Sequence, residues 1–250
     1  MGKRLAWLDL DDEALLEVRL CDLGLRVAGT RLEPRVARLE RELARAGLAR
    51  FRPYAWLSTG WFTPHGTTGF AIPFFLAHPR LARLERRMMG DVEGDGEEAC
   101  MRLLRHEAGH ALDHAYRLHR RASWRRQFGR FGRAYHATYR PQLRSRRFAV
   151  NLPNGYAQSH PGEDWAETFA VWLQPGSQWA SRYHGWPALR KLRYVDSLMR
   201  EIAGQRPPVR TRERADALAE LRFTLREYYR RKRARQARLL ERGRRGEFLR

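Results

Sequence analysis

Apolar positions follow a helical rhythm over most of the chain and leave it once. A helical pattern runs from Asp11 and Asp12 to about Cys21. Pro34 opens a clearer one, with Val36, Leu39, Leu43 and Ala46 on one face and Gly47 as its stop. Between residues 51 and 77 the rhythm changes. Trp56, Trp61, Phe62, Phe70, Ile72, Phe74 and Phe75 alternate with Gly, Pro and Thr, which predicts one or two short strands with turns. Pro73 favours an edge position for the run over 68–76. Helical spacing then returns from Pro79 to about Met89, and the segment GDVEGDGEE reads as a loop. A long helix is predicted from Glu97 to about Arg120, with Cys100, Leu103, Leu104, Ala111 and Leu112 on its apolar side. Gly109 inside it costs about 1 kcal/mol relative to Ala, which points to close approach by another element. Further helices are predicted over about Gly162–Leu173 and over 187–203, and the last part of the chain is helical and very basic. The elements predict a helix-rich α+β domain over residues 1–205 and a basic helical extension over 206–250.

Composition bounds the function without fixing it. The 250 residues suffice for one large domain, and 43% apolar content with eight Trp can fill a core. The formal net charge of +21 suits an acidic partner, such as an acidic peptide or nucleic acid. Only Lys3, Lys191 and Lys232 are lysines, so 46 of the 49 basic residues are Arg, a skew that codon bias also produces. Cys21 and Cys100 form no C-x-x-C pair, which excludes a disulfide scaffold and a zinc ribbon. Asp9, Asp11 and Asp12 interrupt the start before any apolar run forms, and Gly69–Ala77 is too short to span a bilayer. The expectation is a cytoplasmic protein with no membrane partner.

The chemistry concentrates at His106-Glu107-x-x-His110. Imidazoles at i and i+4 leave one face of a helix and can hold two corners of a zinc tetrahedron. Glu107 lies beside that pair, placed to act as general base without being a ligand. A third protein ligand is needed. A metzincin extension would require Gly at 113 and His at 116, where this chain has Asp113 and Tyr116. His114, a turn beyond His110, drifts off the metal, and His119 lies farther along the same helix. The better source is PGEDWAETFAVWL, where Glu163 and Glu167 share one face among Trp165, Ala166, Phe169, Ala170 and Trp172. One of these carboxylates can ligate zinc. The other can accept the free N–H of a zinc-bound imidazole.

An H-E-x-x-H helix followed by a helix bearing Glu-x-x-x-Glu resembles the gluzincin class, and E-D-W-A-E-T-F-A is similar to its lethal-factor-like branch. More closely, HEAGHALDHAY, YRPQLRSRRF, YAQSHPGEDWAETFAVWL and GWPALRKLRYVD resemble a bacterial zinc-binding metallopeptidase family, as does AIPFFLAHPRLARLE upstream. The resemblance covers roughly residues 12 to 203. Family members often carry an N-terminal zinc ribbon, which this chain lacks. The resemblance implies a zincin-like fold and one zinc per chain, held by His106, His110 and Glu163, with Glu167 supporting a ligand. It also implies that Tyr156, seven residues before Glu163, polarises the substrate carbonyl, a role for which His160 is the weaker rival. An edge strand near 68–76 would pair with the substrate backbone.

The expected activity is zinc metalloendopeptidase hydrolysis of a protein or peptide, with Glu107 taking a proton from the attacking water. The rival class is a nucleic-acid-binding or structural protein that keeps a zinc site without turnover. Between Ala115 and Gly162 there are 11 Arg and no Asp or Glu. Because this stretch joins the two motif helices, its charge is expected near the cleft, where it would favour acidic substrates.

Overall fold

The computed structural model of the chain describes residues 5–134, 139–153 and 155–244. In order, its elements are α1 (Asp12–Leu16), α2 (Glu33–Arg45), β1 (Tyr54–Ser58), β2 (Gly69–Pro73), α3 (Pro79–Met89) and α4 (Glu97–Tyr116). There follow α5 (Ala122–Phe128), α6 (Pro161–Leu173), α7 (Trp179–Arg182), α8 (Ala188–Ile202) and α9 (Leu225–Arg244). The fold is helix-rich with a small two-stranded sheet, compatible with the expected α+β class. Among the described residues, no helix is long and apolar enough to cross a membrane.

Proline marks three helix starts. Pro34, Pro79 and Pro161 sit in the first turns of α2, α3 and α6, where the missing N–H costs nothing. Two expected helices end early, for local reasons. The first stops at Leu16, because Arg19 is drawn into a bridge with Thr224 and a 3-10 turn follows over Leu20–Leu23. The helix expected to reach Arg120 closes at Tyr116. There Arg117 takes a left-handed φ of 54°, and the Asp113 carboxylate accepts the His119 backbone N–H at 2.7 Å.

The strands pair in parallel, with Tyr54 opposite Gly69 and Ser58 opposite Pro73. A Cβ at position 69 would lie 2.4 Å from the Tyr54 carbonyl oxygen, so this register requires glycine. On the other side of β2, the Ala71 N–H donates to the Phe62 carbonyl at 2.8 Å. The edge expected to receive a substrate is therefore covered at that point by the chain's own loop.

The segment after residue 205 is tied to β1 and enters the hydrophobic core before its basic helix. Tyr54 Oη donates to the Glu213 carbonyl, Trp56 Nε1 to Ala215 at 3.0 Å and Ser58 Oγ to Asp216 at 2.7 Å. Leu218, Leu225, Tyr228 and Tyr229 are buried in the same hydrophobic cluster as α4 and α6. Lys232 of α9 then pairs with the buried Glu85 of α3. Residues 1–4 and 245–250 lie outside the described residues.

Candidate metal centre

Two helices build the centre by crossing closely. Cys100, Leu104, Ala108, Ala111 and Leu112 seat α4 in the core, and Trp165, Ala166 and Phe169 seat α6 against it, all fully buried. Gly109 lies at the crossing. A Cβ there would be 3.1 Å from Ala166 Cα and from the Phe169 ring, so the glycine expected to mark a close approach does so. Trp165 Nε1 donates to the Gly109 carbonyl at 2.8 Å and fixes the depth of the crossing.

That crossing sets the carboxylates of α6 over the imidazoles of α4. His106 Nε2 lies 3.0 Å from Glu163 Oε2, and His110 Nε2 lies 3.2 Å from the same oxygen. The two Nε2 atoms are 3.1 Å apart. The other His106 nitrogen, Nδ1, is 2.8 Å from Glu167 Oε1. Glu167 is fully buried and also accepts from the backbone N–H groups of Asn151 at 3.0 Å and Leu152 at 2.7 Å, and from Asn151 Nδ2 at 3.1 Å. Glu167 is thus saturated by donors, while Glu163 faces the two histidines.

This donor set calls for a cation. With the Nδ1 proton of His106 given to Glu167, its Nε2 presents a lone pair to Glu163 Oε2, itself an acceptor. Convergent acceptors at such distances need a proton or a metal between them. Without metal the proton supplies the answer. Burial alone would lower the His106 pKa, but the hydrogen bonds its ring donates to Glu163 and Glu167 raise it well above its ordinary value. Burial would likewise raise Glu163, and His110 and His106 together hold it below the ordinary carboxylate range. His106, His110 and Glu163 each offer one ligand atom, all within 4.8 Å of one another, the only such metal-capable group among the described residues. Two imidazole nitrogens and a carboxylate oxygen are a set that suits zinc.

The remaining site residues surround this group. Glu107 is buried, its Oε2 accepting from Thr63 Oγ1 at 2.8 Å, and burial raises its carboxyl above the ordinary value against the pull of His106 and His110. The Tyr156 ring stands 5.6 Å from the His106 ring. His106, Glu107 and Tyr156 line one cleft of about 1430 Å³, together with Trp61, Arg102 and Lys232. His160 is occupied elsewhere: it caps α6, its Nδ1 accepting from Gly162 N at 3.0 Å and its Nε2–H donating to the Arg133 carbonyl at 3.0 Å. His114 donates from Nδ1 to the Thr67 carbonyl at 3.0 Å, away from the metal group. None of the 11 Arg between residues 115 and 162 lines the cleft; Tyr139, Leu152, Pro153 and Tyr156 represent that stretch there.

Residues 97–181 match the profile of a family described as "putative zinc-binding metallo-peptidase". Over this segment the chain is similar to that family. The family segment runs from the first residue of α4 into α7 and so contains both helices of the metal group. No curated protein and no solved structure matches the chain.

Several supporting residues left no readable signal in the sequence. Thr63 is 44 positions from Glu107, and Asn151 lies in an irregular loop 16 positions before Glu167. Behind His106, the buried Arg105 donates from Nε and Nη2 to Glu42 of α2 at 2.7 and 2.9 Å. One signal was available. Arg105 and Glu42 both fall on otherwise apolar helix faces, where a charge survives only when paired.

Proposed function

We propose that the chain is a zinc-dependent metalloendopeptidase with a zincin-like catalytic centre. The observation that carries this reading is the convergence of His106 Nε2, His110 Nε2 and Glu163 Oε2 on one point, with the Glu107 carboxylate in the same cleft. These three residues would hold the metal. When bound, zinc supplies Lewis-acid chemistry, polarising a carbonyl and bringing the pKa of a water toward ~7. Glu107 does the proton work: its raised affinity for protons, a result of burial, suits a group that takes a proton from the attacking water and hands it to the leaving amine. Thr63 holds the Glu107 side chain in place from the other side. Tyr156 is the oxyanion donor, supported by its position beside His106 and by the commitment of His160 to capping. Glu167 fixes the tautomer and orientation of His106. A resident zinc would also relieve the contest for protons between His106 and the two glutamates.

The test is cleavage of a peptide library digested from whole-cell protein, with new termini read by mass spectrometry. Wild type should generate new termini, and Glu107→Gln should retain zinc and lose activity by about 10²–10⁴-fold. Equal cleavage by both proteins would remove Glu107 from the role of base. Absence of cleavage by zinc-loaded wild type would favour a site without turnover.

A further inference from the structure

A second cavity, of about 780 Å³, lies outside the catalytic cleft. It is lined by His119, Arg120, Arg125, Arg130, Phe131, Gly132 and Arg133. Its lining contains four guanidiniums and no carboxylate. Among the described residues, none of the four reaches an acidic partner, although nearby Arg121 pairs with Glu201. The one partner found for these side chains is neutral, the Arg120 carbonyl, which accepts from Arg125 Nη1 at 3.0 Å. Like charges gathered on one pocket repel, and among the described residues no acidic side chain pairs with these four.

The pocket is also a constructed one. His119 is held by Asp113, which accepts its backbone N–H at 2.7 Å and its Nδ1–H at 2.8 Å. The Phe131 ring stacks on His119 with centroids 4.4 Å apart and 24° between planes. The Arg133 carbonyl is tied to His160, the residue that caps α6. The floor of the pocket is thus fixed to both motif helices, while the arginine heads stay in solvent.

We propose that this pocket binds a compact, multiply charged phosphate compound, such as a pyrophosphate or a nucleoside triphosphate. Planar guanidinium forks match phosphate oxygens two at a time. Four positive charges call for a ligand carrying several negative ones within a short span, which a lone carboxylate does not. The volume falls in the range of small-molecule sites. This reading stands apart from the peptidase proposal and survives its failure.

Titration calorimetry on the full chain, at fixed ionic strength, tests it with pyrophosphate, adenosine triphosphate and a short single-stranded oligonucleotide. Arg125→Glu/Arg130→Glu reverses two pocket charges. Arg50→Glu/Arg52→Glu makes the same net change at exposed positions outside the pocket. Thermal melting checks that both variants remain folded. Saturable binding of pyrophosphate and triphosphate should weaken on the order of tenfold or more in the pocket variant, and by less than about threefold in the control, with competition by added salt. Equal losses in both variants, or binding that survives the pocket variant, would overturn the site. Pocket-dependent binding of the oligonucleotide without binding of pyrophosphate would overturn the compact ligand.

Discussion

The crossing of α4 and α6 and the segment that joins them handle charge in opposite ways. At the crossing, the charged groups are buried and each meets a partner: Glu167 takes four donors, Glu163 faces His106 and His110, and Arg105 is forked onto Glu42. In the joining segment 11 Arg stand without a single acid, and those that line its pocket are exposed. Buried charge must be satisfied by geometry, so its partners identify its chemistry. Exposed charge is satisfied by water, so it speaks only through its sign and its grouping. The crossing therefore yields named roles, and the joining segment yields a class of ligand.

The largest expected effect sets the two regions against each other directly. Glu42→Gln leaves the Arg105 guanidinium buried and uncompensated, and should destabilise the chain by about 3–5 kcal/mol in urea unfolding. Arg121→Ala, which breaks the exposed pair with Glu201, should cost less than about 1 kcal/mol. Comparable losses would erase the distinction.

Next in size is a catalytic effect. Tyr156→Phe should leave zinc bound and lower kcat by about 10²–10³-fold, the usual consequence of losing one oxyanion donor. An unchanged kcat would move that role to another donor in the cleft.

The smallest concerns His114, buried beside the Thr67 carbonyl, where burial pushes its pKa down to about 4. The folded chain keeps this imidazole neutral while the unfolded chain protonates it near pH 6.5. Its contribution to stability is therefore complete above about pH 6.5 and is lost as pH falls toward 4. Between pH 7 and 5 it should remove about 2 kcal/mol, and His114→Gln should flatten that part of the pH profile in urea unfolding. An unchanged slope in the variant would assign the acid sensitivity to other groups.

The same contrast explains what could be read from the chain. The helices around the centre were legible because proline starts, glycine stops and apolar spacing are local signals, and α3, α6 and α8 lie close to where those signals place them. His106 with His110, and Glu163 with Glu167, were legible as pairs because helical spacing fixes which side chains share a face; the choice of Glu163 as ligand came from the family resemblance, and Gly109 announced the crossing. Non-local pairings were not. Nothing near Thr63 or Asn151 marks them as partners of Glu107 and Glu167. The same holds for the C-terminal segment. Its composition reads as a basic helical extension, and the non-local ties of Tyr228, Tyr229 and the carbonyls of residues 213–216 to the core and the sheet carry no local signal. The arginines of the joining segment carry no such geometry: tethering at both ends limits how far a loop travels, but not which side of it faces the cleft.

The most direct test of the account is zinc stoichiometry, measured by elemental analysis and chelator competition on purified wild type, Glu163→Ala and Glu167→Ala. Wild type should hold one zinc per chain. Glu163→Ala should hold none stably, because it removes one of three ligands. Glu167→Ala should still bind, with affinity about 10–100-fold weaker, because it loosens His106 without removing a ligand. Full occupancy in Glu163→Ala, or a greater loss in Glu167→Ala than in Glu163→Ala, would contradict the assignment of the metal centre.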